Sequence, residues 1–160
     1  MSATTPRFPN PGSLVPAVND ATKVLYQATG NGSIPRATIS LVQLRIGQIF
    51  QSEYLTTLQV NILRGIGETE ERIGAVADWK DAAVFDDAER AALALAEAVF
   101  TESPTGQRVT DEVYAEAAKH YDEEGLVTLA TVIGQIGFFV PLAVIGQPIP
   151  GTSPSKQWRQ

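Results

Sequence analysis

The segment that most limits how this chain can fold runs from Asp122 to Ile145. Asp122, Glu123 and Glu124 open it as a helix start does, with acids where the backbone dipole favours anions. Leu126, Val127, Leu129, Val132, Ile133, Ile136, Phe138, Phe139 and Val140 follow. Projected on a 3.6-residue period they leave almost no polar face. A helix apolar all round needs covering all round. A chain of 160 residues is one domain with one core. Such a domain seldom encloses a whole helix by itself, so the expectation is an oligomer. The longest apolar run, Ile133 to Ile145, is interrupted by Gly134, Gln135, Gly137 and Pro141 and reads as too short to cross a bilayer.

The rest of the chain repeats the helical pattern. Val18 to Ala28 forms a first candidate, ended by Gly30, Asn31 and Gly32. A second starts near Pro35 and puts Val42, Ile46, Ile49 and Phe50 on one face. A third, Ser52 to Arg64, carries a Leu55, Leu58, Ile62 stripe and stops at Gly65 and Gly67. Thr69 caps a short helix, Asp86 and Glu89 form a capping-box pattern before Ala88 to Thr101, and Thr110 caps the next. No stretch alternates long enough for a strand. The reading is all-α, about six to eight helices, over residues 17–146. Prolines at 6, 9, 11 and 16 make residues 1–16 an extended arm, and Pro148, Pro150 and Pro154 do the same for a tail over 147–160. Trp158 would be costly to leave in water, so the arms are expected to reach, at least in part, across a subunit boundary.

Composition removes whole classes of function. Eighteen acidic residues against 12 basic ones give a net charge of −6, with no basic cluster to meet a phosphate backbone or an anionic membrane. Neither nucleic acid nor membrane is expected as a partner. There is no cysteine, hence no disulfide, no thiolate nucleophile and no thiolate metal site. One histidine, His120, offers no zinc spacing, and the acidic pairs read as helix starts, so no metal and no cofactor are expected. His120 itself reads as a cation at a helix C-terminus. The N-terminal segment lacks a signal-like apolar core, and a cytoplasmic location is expected.

Three segments carry a family resemblance: SLVQLRIGQI from Ser40, GETEERIGAVADWKDAAVFDDAERAALALAEAVF from Gly67, and HYDEEGLVTLATVIGQIGFFVPLAV from His120. Together they resemble the carboxymuconolactone decarboxylase and alkylhydroperoxidase-D-like (AhpD-like) superfamily, in its peroxidase-related branch. The resemblance implies an all-α AhpD-like domain in a homo-oligomer, a trimer or hexamer foremost and a dimer as the alternative. In that branch a Glu, a Cys-x-x-Cys pair and a His four residues later run thiol peroxidase chemistry. Those positions here read Ser40, Ser52, Leu55 and Gln59. A serine cannot cycle to a disulfide, and the amide of Gln59 does not titrate. Alkylhydroperoxidase activity is therefore not expected.

Two functions stay open at this level. One is a non-redox small-molecule enzyme for proton transfer, decarboxylation, ring opening or cyclisation. Glu53 would be its acid/base, with Ser52 and Gln59 as the other catalytic candidates. Ser40, Gln48, Tyr54, Gln135 and Phe139 would bind an apolar organic substrate. The other is a pseudoenzyme, a helical oligomer that binds a ligand or partner without turnover. Each residue has a plainer role beside the chemical one. Glu53 fits a solvated first-turn carboxylate, Ser52 a helix cap, Tyr54 an interface residue and Gln59 an interhelical amide.

Overall fold

The computed structural model describes residues 5–160; the first four residues of the expected N-terminal arm lie outside the described residues. Among the described residues eight α-helices follow one another: α1 (Pro11–Leu14), α2 (Ala17–Thr29), α3 (Arg36–Ile49), α4 (Glu53–Gly65), α5 (Glu70–Ala75), α6 (Asp87–Phe100), α7 (Asp111–Ala118) and α8 (Glu123–Gly146). The only strand-like pairing among the described residues is a single bridge between Pro9 and Arg159. The fold is all-α.

Most starts are written locally. Ser52, Thr69, Thr110 and Asp122 each accept a hydrogen bond from a backbone N–H in the first turn of the helix they precede. Asp86 and Glu89 complete a reciprocal capping box at α6. Beyond the caps, tertiary contacts hold the bundle. Helix α3 is the hub, packed against α4, α6 and α8, and Leu41, Val42, Leu44 and Ile46 are essentially without solvent. Arg90 staples the loop after α5 to α6 by donating to the carbonyls of Trp79, Lys80 and Ala82. Arg72 ties α5 to α6 through Glu89 and the Val84 carbonyl, and Glu68 shares it.

Helix α8 runs 24 residues, to the end expected for it, and Gly134, Gln135, Gly137 and Pro141 interrupt only its apolar run; the helix as a whole, unlike that run, is by length and composition alone long enough to cross a membrane. Neighbouring helices hold the backbone even where Pro141 leaves the Gly137 carbonyl without its usual donor. As expected of a single domain, the chain does not cover it all round. Leu129, Val132, Ile133, Gln135 and Ile136 are buried, while Val127, Val144 and Ile145 are exposed at 67%, 49% and 59%.

The two arms are not simply extended. Pro11 begins the short α1, because a proline in the first turn lacks only a donor that has no helical partner there, and Asn10 caps it. Pro154–Lys156 make one 3-10 turn. Within the chain the arms meet each other. Phe8 stacks on Trp158 at 5.3 Å, and the Arg7 amide donates to the Gly146 carbonyl at 2.8 Å. A side chain at Gly146 would collide with Phe8 and with Trp158, so the clasp requires glycine there.

Candidate functional site

The turn between α3 and α4 is tight. Gly47 lets α4 approach so closely that a Cβ would stand 3.3 Å from Leu55 and Thr56. Gln51 adopts a left-handed conformation, φ 52°, to reverse the chain. The Ser52 amide then donates to the Gly47 carbonyl at 3.0 Å, and its Oγ accepts from the Leu55 amide at 3.3 Å. The Ser52 oxygen is therefore engaged as a cap, with no base beside it. Glu53 is exposed in the first turn of α4, where it borders a shallow cavity of about 230 Å³ with Ser52, Tyr54 and Pro148.

One turn further on, α4 points inward. Gln59 is 4% exposed and its Nε2 donates to Oε1 of Gln43 at 3.0 Å. The Gln43 Nε2 donates in turn to Oε1 of Gln135 at 3.0 Å and to the Val132 carbonyl at 3.2 Å. Three amides from α4, α3 and α8 thus form one buried chain. Its polarity is set by Val132, whose carbonyl can only accept. Gln43 must turn its nitrogen there and its oxygen to Gln59, and Gln59 must answer with its nitrogen. The Gln59 Oε1 is left fully buried with no hydrogen-bond partner. An unmet buried acceptor of this kind costs about 1–3 kcal/mol.

Two cavities adjoin this chain, of about 420 and 490 Å³, and both are lined by Tyr26, Gln43 and Gln59. The first is walled by Leu55, Leu58, Ile136, Phe139 and Leu142 and closed by the arms through Gly12, Gln157 and Trp158. The second adds Ser40, Ile62 and Gln135. The Tyr54 hydroxyl donates to Oε1 of Gln157 at 2.8 Å, binding the tail over the first cavity. Burial, and secondarily the nearby Tyr26, pushes the Tyr54 phenol above its ordinary range; burial does the same to Tyr26. Both phenols stay protonated at neutral pH.

The residues proposed from sequence thus scatter. Ser40, Gln59 and Gln135 meet around the second cavity; Tyr54, Phe139 and Gln59 meet around the first. Gln48 joins neither. It lies on the opposite side of α3, 3.5 Å from Arg45. Five residues separate it from Gln43, about 140° of helical turn. Gln43 is the residue that sequence reasoning missed. Its signal was available: it stands three residues after Ser40, on the same face, inside the apolar run Leu41 to Leu44. His120 is remote, 3.4 Å from Glu116 at the end of α7. Among the described residues no group of three or more His, Asp or Glu is placed to hold a metal ion.

This arrangement of helices is an AhpD-like one. It superposes on an Agrobacterium tumefaciens protein of unknown function, described as a candidate AhpD antioxidant-defence protein, with a TM-score of 0.83, 23% identity, and 93% of this chain and 100% of that one covered. A complex of a cysteine-to-alanine variant of the debrominase Bmp8 with 2,3,4-tribromopyrrole matches with a TM-score of 0.76 and 20% identity, over 87% of this chain and 74% of that one. Residues 16–98 match the carboxymuconolactone decarboxylase family, and this chain belongs to that family. Its sequence relatives include the uncharacterized proteins YdfG of Bacillus subtilis and YnjA of Escherichia coli. YdfG is 36% identical over 108 residues, 68% of this chain and 72% of that protein. YnjA is 36% identical over 98 residues, 59% of this chain and 50% of that protein. The chain is a family member without a cysteine.

Proposed function

We propose that this protein binds a small, mostly apolar organic molecule in the cavity between α4, α8 and the two arms, and that it does so without thiol chemistry. The observation that carries the reading is the buried amide chain Gln59–Gln43–Gln135 standing against an apolar cavity of about 420 Å³. That volume is in the range of small-molecule sites, and a few fixed polar groups in an apolar wall are what such sites use for orientation. The amides neither titrate nor attack, and the phenols of Tyr26 and Tyr54 are too weakly acidic to act as bases near neutral pH. Binding without turnover is therefore the better-supported of the two readings. The debrominase neighbour, whose complex holds 2,3,4-tribromopyrrole, supports the reading with a small aromatic molecule bound to a protein of similar fold. That enzyme carries a cysteine and this chain has none, so dehalogenation or peroxide reduction by a thiol does not transfer. A homo-oligomer goes with the proposal, because the exposed apolar face of α8 calls for a cover.

A second reading, a non-redox enzyme, rests on the shallow cavity where Glu53, Ser52 and Tyr54 stand together. In it Glu53 would move the proton, and a Glu53→Gln substitution would abolish turnover. The binding reading expects that variant to leave ligand affinity within twofold of the parent.

Native mass spectrometry of the purified protein, followed by denaturation, tests the proposal. An oligomer releasing a small apolar molecule is the expected result. Failure to retain any member of a panel of small aromatics and lactones would overturn it. Peroxide consumption above background with a dithiol reductant would overturn the thiol-free account.

A further inference from the structure

We infer that the cavity beside Gln59 selects a neutral ligand with one hydrogen-bond donor, an N–H or O–H on an otherwise apolar and compact body, and that Gln59 Oε1 accepts it. The inference rests on the ligand-binding reading above and adds the chemical class of the ligand.

Two independent observations lead to it. The first is the unpartnered oxygen. Gln59 Oε1 is the one side-chain atom among the described residues that is buried, polar and without a partner. It cannot be cured by turning the amide over. The Val132 carbonyl fixes Gln43, Gln43 fixes Gln59, and a flip would set two oxygens against each other while removing a bond. The chain therefore holds an acceptor, not a donor, at a position that borders the cavity. The second is the charge of the walls. The lining of the cavity of about 420 Å³ closed by the arms includes tyrosines, amides, Trp158 and aliphatic side chains, and no Asp, Glu, Lys, Arg or His; Arg36 lines only the other cavity that Gln59 borders. An anion would lose its hydration with no cation to meet it, and would face the Gln59 oxygen besides. A cation would find no carboxylate. A neutral donor loses little on entry and gives the oxygen the partner it lacks.

The oxygen is buried in the isolated chain, so a donor reaches it as wall side chains of the cavity shift. Discrimination should then be sharp. A site built with a polar group rejects the analogue that leaves that group unpaired far better than an apolar site rejects an added hydroxyl.

The test uses the whole protein and matched pairs of probes in isothermal titration calorimetry. Para-chlorophenol is paired with para-chlorotoluene, indole with indene, and benzoate serves as the anion. Each pair shares its shape and differs in the donor. Water-to-apolar transfer alone favours the member without a donor. Preference for para-chlorophenol and indole by tenfold or more, with benzoate the weakest, is the expected outcome. In Gln59→Met the preference should fall to one or below while para-chlorotoluene binds as before; a melting curve of that variant establishes that it is folded, and the wild-type pairs decide the matter without it. Equal binding within each wild-type pair, or benzoate binding best, would overturn the donor assignment and leave the binding reading standing. A preference that survives in folded Gln59→Met would overturn the role of Gln59. Binding of no probe at all would overturn both the inference and the reading beneath it.

Discussion

Helix α3 carries a polar cluster on each side, one half-buried and one buried, and the two are built on different rules. Toward α6, Arg45 donates to Glu97 at 3.0 Å, Trp79 Nε1 donates to the same carboxylate at 2.9 Å, and Lys80 reaches it at 3.1 Å. Toward α4 and α8, Gln43 links Gln59 and Gln135 through neutral amides and one oxygen is left over. The charged cluster is complete: three donors converge on one acceptor group. The neutral cluster is one hydrogen bond short. A fully satisfied buried network rigidifies a fold, whereas a partly satisfied one carries a standing cost that a ligand can remove. That difference suits the first to structure and, under the proposed function, the second to binding.

The largest expected effect breaks the charged cluster. Glu97→Gln keeps the shape and removes the counter-charge of Arg45, whose side chain is only 21% exposed. Losing one partner of such a pair should cost about 2–3 kcal/mol, below the range for fully buried pairs because Lys80 and the rim of Arg45 are wetted. Denaturant titration measures it. Burial raises the Glu97 pKa, but the hydrogen bonds from Trp79, Lys80 and Arg45 outweigh it and hold the carboxyl below the ordinary carboxylate range. A depressed carboxylate contributes stability above its unfolded pKa and loses it as pH falls through the folded one. The gap between wild type and Glu97→Gln should accordingly be full at neutral pH and close below about pH 4. A gap that widened on acidification would reverse the sign and refute the account.

The neutral cluster should break unevenly. Gln43→Leu strands the Gln59 nitrogen, the Gln135 oxygen and one Val132 lone pair, at about 2 kcal/mol. Gln59→Leu strands the Gln43 oxygen but deletes the unmet Gln59 oxygen, exchanging one unmet acceptor for another, so its cost should be about 1 kcal/mol, less than for Gln43→Leu. Equal costs for the two would mean that the Gln59 oxygen has a partner after all. Gly146→Ala acts one layer out, on the arms that close the cavity. The new methyl meets Phe8 and Trp158, and overpacking of this kind costs about 1–2 kcal/mol. Proteolysis should then clip both arms together, while Glu97→Gln should leave them intact.

What could be read from the chain was what is local. The caps at Ser52, Asp86, Thr110 and Asp122 involve groups three residues apart, and the all-α fold follows from them and the apolar periodicity. The Phe8–Trp158 clasp was not legible, because its two halves are separated by nearly the whole chain and only the closure of the bundle brings them together. At the site, reading from the expected Cys and His positions led to Gln59 but also to Ser52, Glu53 and Gln48, which the structure places at a cap, on the surface and on the wrong face of α3. Gln43 was passed over because it occupies none of those positions. Its importance comes from what α4 and α8 bring against it.

The smallest effect sharpens the comparison from the outside. Gln51 sits at the turn that sets α4 against α3 and belongs to neither cluster. Its φ of 52° is a conformation in which a side chain is strained and glycine is not. Gln51→Gly should therefore raise stability, by about 0.5–1 kcal/mol, less whatever the glycine gains in freedom when unfolded. If the turn only reverses the chain, the donor preference of the cavity stays as it was, since Gln59 is still held by Gln43 and Val132. A stabilised variant whose preference has shifted would show that the strain at Gln51 helps hold α4 in register with the amide chain. The neutral cluster would then extend to the turn, and the two sides of α3 would no longer be separable.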